Sequence, residues 1–66
     1  MLYKINLEKY RKSQHLTLVD LAEKTLISKS TLSRIERGEI DPLLSIVVTL
    51  VQYFKCELSD FVEITK

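Results

Sequence analysis

Apolar side chains return at steps of three and four along most of this chain, and clusters of short polar residues break the rhythm. That period belongs to amphipathic helices, and the caps and breakers between the periodic stretches predict about five of them. The first starts at Asn6, whose side chain can accept from an orphan N–H of the first turn. Glu8 sits in that turn, where the helix dipole favours an acid, and Leu7 and Tyr10 share a face. This helix should stop near Gln14 and His15. Thr17-Leu18-Val19-Asp20 has the form of a capping box. The helix it opens runs to about Lys24 with Leu18, Leu21 and Ala22 inward, and Ala22 is small enough to let a second helix approach closely. Thr25-Leu26-Ile27 is a turn. Ser28 caps a third helix with Thr31, Leu32 and Ile35 as its buried stripe, and Gly38 supplies the left-handed residue that commonly ends a helix.

Beyond Gly38 the chain restarts at Asp41-Pro42, with Asp as cap and Pro at the first helical position. Leu44, Val47, Val48, Val51, Phe54 and Leu58 then follow at helical steps. Residues 46–51 are β-branched enough to form a strand in isolation, but the length and spacing select a helix. Apolar nearly all round, it should be central and buried. A short fifth helix runs from about Glu57 to Phe61 or Val62. The two ends differ from the rest. Leu2-Tyr3-Lys4-Ile5 and Phe61-Val62-Glu63-Ile64-Thr65 are rich in β-branched and aromatic residues and partly alternate, so they can pair as a small antiparallel ribbon; the alternative is frayed ends.

Sixty-six residues make one domain with a small core, and an oligomer would help to stabilise it. A buried multi-residue catalytic cleft does not fit in that length. His15 is the only histidine, and no nucleophile set, glycine-rich phosphate loop or metal-ligand cluster is present, so neither an enzyme nor a cofactor or metal protein is expected. His15 reads as an exposed helix terminator. Cys56 is the only cysteine and cannot form an internal disulfide; it reads as a small buried hydrophobe in a reducing, cytoplasmic setting. No stretch of about 18 residues is apolar throughout, so no membrane span is expected. Net charge is only +1, yet residues 1–38 carry eight basic and four acidic side chains whereas residues 39–66 carry two and five. One part can face phosphates while the other faces solvent or a partner.

The segment from Ser28 to Gly38 concentrates the chemistry. Lys29, Ser30, Ser33, Arg34 and Arg37 lie off its apolar stripe, and a short helix precedes it. Two short helices with a basic, hydroxyl-rich second member point to a reader of the DNA major groove. Arg can grip guanine O6 and N7 with two hydrogen bonds, Lys can donate to the same atoms, and Ser is less selective. Thr17 and Ser28 stand at helix N-termini, whose free N–H groups attract phosphate. Arg37 at the far end of the helix is a further phosphate candidate, with Lys12 and Lys9 behind it.

With Leu21-Ala22, Ile27, Leu32 and Ile35 at the buried positions of a helix-turn-helix over about residues 18–37, the chain resembles the Cro/C1-type (Xre-family) regulators. It is similar above all to the short single-domain ones that end in a segment like Cys56-Glu57-Leu58-Ser59-Asp60-Phe61-Val62-Glu63. The resemblance covers about residues 5–64 and rests most on Ser28 to Gly38 followed by Asp41-Pro42. It implies a five-helix, lambda-repressor-like domain that binds operator DNA as a dimer, with residues 29–37 as recognition helix. It also implies base contacts from Lys29, Ser30, Ser33 and Arg34, and a structural ion pair between Arg11 and Glu36. Several residues depart from the family pattern. Leu18 replaces a glutamine that usually touches phosphate or orients a base-reading side chain. Leu26, His15 and Lys55 replace customary glycines, and Glu39-Ile40-Asp41 is acidic where relatives are often basic.

The expected function is therefore a homodimeric transcriptional regulator of double-stranded DNA, a repressor reading a palindromic operator. The expected dimer surface is the apolar C-terminal part, with Tyr53, Leu43, Val62 and Ile64. The alternative is a protein-interaction module, an antitoxin or an adaptor, on the same fold and with a regulatory protein as partner.

Overall fold

A computed structural model describes residues 2–64 and so leaves Met1, Thr65 and Lys66 aside. Its elements are β1 (Tyr3–Ile5), α1 (Leu7–Ser13), α2 (Leu18–Thr25), α3 (Lys29–Glu36), α4 (Leu44–Phe54), α5 (Leu58–Phe61) and β2 (Val62–Ile64). The protein is thus mainly α, with five helices and a two-stranded antiparallel ribbon that pairs Tyr3 with Ile64, Lys4 with Glu63 and Ile5 with Val62. Thr65, the last residue of the expected C-terminal strand, lies outside the described residues.

Local chemistry ends the helices. His15, Leu26, Lys55 and Gly38 all have positive φ, between 56° and 70°. After α1, α3 and α4 two backbone bonds close the turn, as in Glu39 N–H to Arg34 O at 2.9 Å and Gly38 N–H to Ile35 O at 3.1 Å. After α2 a single bond from Leu26 N–H to Ala22 O, 2.9 Å, does so. These are the Schellman and left-handed closures that satisfy the last carbonyls of a helix. Only Gly38 adopts them without a Cβ.

One residue or more from every helix meets in the core. Leu7, Leu21, Leu32, Ile35, Val47, Leu50, Phe54 and Phe61 are buried. Tyr10 packs beside both Phe54 and Phe61, at 5.7 and 5.9 Å between ring centres. Each such large side chain contributes about 1.5–3 kcal/mol when fully buried.

Four expectations are corrected. Asn6 does precede α1, but its side chain makes no cap hydrogen bond. Instead Nδ2 donates to Asp60 O (2.9 Å) and Glu63 Oε1 (3.1 Å), because Asn6 is buried where both chain ends meet and its amide needs partners there. α4 does not begin at Pro42. Leu43 is its N-cap, without a side-chain bond, and Asp41 is drawn away because Oδ1 accepts from the Tyr3 hydroxyl. Nor is α4 buried all round. Val47, Leu50 and Phe54 face the core, while Leu44 (71% exposed), Val48 and, beyond the helix, Leu58 face outward. So short a chain cannot cover both sides of an apolar helix. Cys56 is half-buried rather than buried, and burial pushes its thiol pKa up. No helix among the described residues is long and apolar enough to cross a membrane.

Candidate nucleic-acid interface

The α2–α3 pair is braced at each entry. Thr17 Oγ1 accepts from Asp20 N–H (3.0 Å) and Asp20 Oδ2 accepts from Thr17 N–H (3.1 Å), a complete capping box. The Thr17 backbone N–H, above all, holds the Asp20 carboxyl below its ordinary pKa. Ser28 Oγ accepts from Thr31 N–H (3.2 Å) and donates its own proton to Thr31 Oγ1 (2.7 Å). Capping thus uses the Thr17 N–H and both the lone pair and the proton of the Ser28 hydroxyl, whereas the Thr17 hydroxyl only accepts and keeps its proton to donate. The backbone donors left to attract an anion at each helix start are the next two N–H groups, Leu18 and Val19 in α2 and Lys29 and Ser30 in α3.

Packing then decides which face of α3 shows. Leu32 and Ile35 are buried against the core and Thr31 is half-buried. Lys29, Ser30 and Arg34 are exposed, and Ser33 is half-exposed between them. Their spacing puts Ser30, Ser33, Arg34 and Arg37 along one strip of the helix.

α3 is held from behind by a charge pair. Arg11 Nε donates to Glu36 Oε2 at 2.6 Å and Nη2 to Oε1 at 3.2 Å, while Nη1 donates to Leu16 O at 2.8 Å. The side chains are 13% and 6% exposed. The hydrogen bond to Glu36 raises the Arg11 pKa against the opposing cost of burial. One guanidinium thereby joins α1, the loop into α2, and the last turn of α3.

The remaining basic groups are less free. Arg37 Nε lies 2.7 Å from Glu39 Oε2. Lys12 Nζ lies 3.2 Å from Glu8 Oε1, and Lys9 Nζ stands 5.9 Å from the Tyr10 ring centre. Lys9 and Lys12 share a shallow depression with Lys4 and Glu36, so they sit beside the C-terminal end of α3 and apart from its first turn. The sequence reading did not single out Lys4, nor Glu39 as a partner for Arg37; an opposite charge just beyond the helix-ending glycine was the available signal.

On another side lies an open groove of about 620 Å³ lined by Tyr3, Ile5, Leu44, Val47, Leu58, Val62 and Ile64, and it is almost wholly apolar. Val62 and Ile64 belong to it, and Leu43, 69% exposed, precedes its wall at Leu44. Tyr53 instead packs edge-on against Phe54, 5.1 Å between ring centres. Among the described residues no cluster of His, Cys, Asp or Glu is arranged to hold a metal ion.

This arrangement has counterparts. Residues 7–61 match the helix-turn-helix family HTH_3. An uncharacterized HTH-type transcriptional regulator of Methanocaldococcus jannaschii is 35% identical over 57 residues, 86% of each chain. An HTH_3 family transcriptional regulator from Vibrio cholerae, known from a crystal structure, superposes with a TM-score of 0.75 at 34% identity over 85% of this chain. The chain spans only 32% of that larger one.

Proposed function

The chain belongs to the helix-turn-helix family of DNA-binding transcriptional regulators, and from that premise we propose that it is a homodimeric cytoplasmic repressor that reads a palindromic operator through α3. The exposed strip on α3 carries this reading. Lys29, Ser30, Ser33 and Arg34 reach base edges in the major groove, the N-terminal turns of α2 and α3 take phosphates, and Arg37, Lys12 and Lys9 add phosphate contacts. Arg34 is the principal specificity residue, because one guanidinium can satisfy two acceptors of a guanine. Occupancy of the operator is enough to block transcription.

The apolar groove supports self-association. Leu43, Leu44, Leu58 and Ile64 are all more than half exposed around it, a cluster seldom left to water on a monomer. Half-sites of a symmetric operator lie about 34 Å apart, and a domain measuring 33 × 22 × 20 Å can occupy one each. The same groove favours a second reading, docking of a different protein as in an antitoxin or adaptor.

Selection from random duplex DNA, followed by mobility shifts, tests the proposal. It should enrich one inverted repeat, and Arg34→Ala should weaken binding by about 1–3 kcal/mol and relax the choice at one base pair of each half-site while leaving the fold intact. Failure to enrich any sequence at low salt would refute it.

A further inference from the structure

The C-terminal end of α3 carries its own competitor for phosphate. Gly38 turns left-handed at φ 70° and Glu39 N–H bonds to Arg34 O at 2.9 Å, so the backbone of Glu39 is pinned beside the last turn of the helix. From there its carboxylate reaches Arg37 Nε at 2.7 Å. Arg37 and Glu39 are roughly half exposed, 60% and 49%, so phosphate can reach the same guanidinium. Arg34, one turn earlier on the same strip, makes no ion pair among the described residues. Arg34 inside α3 and Arg37 at its C-cap therefore differ in availability before any DNA arrives.

We propose that Glu39 is an intramolecular phosphate surrogate, which occupies Arg37 in the free protein and must be displaced when the backbone of a duplex docks there. This rests on the reading of α3 as the DNA-binding helix and adds a regulating residue to it. A guanidinium binds carboxylate and phosphate oxygens by the same charge-assisted hydrogen bonds, so the two ligands exclude one another. Once displaced, the carboxylate stays within a Debye length of the phosphates and opposes them. The effect acts on the backbone and is blind to sequence: Glu39 weakens operator and random DNA by the same factor. It keeps an otherwise basic helix end from adhering to bulk DNA.

The test uses Glu39→Gln in the full chain. The substitution removes the charge and keeps the backbone N–H that closes the helix. Binding to a short random-sequence duplex and to the selected operator is measured against salt for wild type, Glu39→Gln, Arg37→Gln and the double variant. Glu39→Gln should bind both duplexes about two- to fivefold tighter, the strength of an exposed pair. Its plot of log affinity against log salt should steepen by up to about one unit, because no displaced carboxylate is left to take up a cation while the phosphate releases one. In the Arg37→Gln background the gain should shrink towards none. An unchanged or weaker Glu39→Gln overturns the proposal, as does an equal gain with and without Arg37, which would leave only the general field of one carboxylate. Absence of DNA binding by the wild type would instead fell the reading of α3 itself, and the surrogate with it.

Discussion

A left-handed backbone crowds any side chain that has a Cβ, yet His15, Leu26 and Lys55 accept it where helices end. Each costs on the order of 1–2 kcal/mol, and Leu26 is also 92% exposed. Lys55→Gly should therefore raise stability by about 1 kcal/mol, a gain of several degrees in thermal midpoint for a domain of this size. An unchanged midpoint in a calorimetric scan would show that the turn is not strained. These positions were legible because they stand where the resemblance expects glycine. The Arg11–Glu36 contact was an expectation of the same resemblance; the distances now define its geometry. Glu36→Ala would leave the Arg11 guanidinium partly unpaired in a mostly buried place and should cost about 3 kcal/mol in urea unfolding. Replacing both partners with apolar residues should cost far less. Asn6 was not legible in this way. Its neighbours in sequence suggest a cap, and its actual partners, Asp60 and Glu63, come from the opposite end of the chain.

Helices announce themselves in this chain through their ends. The Thr17–Asp20 box and the Ser28 cap are contacts between residues three apart, so local sequence specifies them and the fold has only to leave them alone. The box also has a pH signature. Thr17 lowers the Asp20 pKa from its ordinary 3.8, so the folded state holds the proton less tightly than the unfolded one. The stabilisation is complete above the ordinary value and is lost as pH falls through the lowered one. Asp20→Asn should melt below wild type near neutral pH, and the gap should close below roughly pH 4. A gap that persists in acid would mean that the charge of Asp20 has no part in it. α4 shows where local reading stops. Asp41-Pro42 is a fair helix start in sequence, but the Tyr3 hydroxyl claims the aspartate and the helix begins at Leu44 with no side-chain cap. A contact across 38 residues outweighs a local preference.

Across the whole molecule, exposed apolar side chains gather most densely at one groove, where Leu43, Leu44, Leu58 and Ile64 stand together. If a second copy covers that groove, Leu58→Glu should convert a dimer into a monomer in sedimentation equilibrium. Operator affinity should fall steeply, since each half-site would then bind alone. A wild-type protein that is monomeric at every accessible concentration would exclude the dimer and leave the groove to a different protein. Leu58 is 53% exposed, so the substitution spares the core.

The order of five helices, the turns that end the first three of them and the two-helix unit follow from periodicity, caps and breakers, because those depend on residues close together in the chain; the ribbon was one of two open readings, and packing of the distant strands decided it. Tertiary packing alone settles which side of the uniformly apolar α4 meets water, where Asn6 and Asp41 spend their hydrogen bonds, and that Arg37 already holds a carboxylate. Each of those outcomes is a competition among partners distant in sequence or newly juxtaposed by a turn.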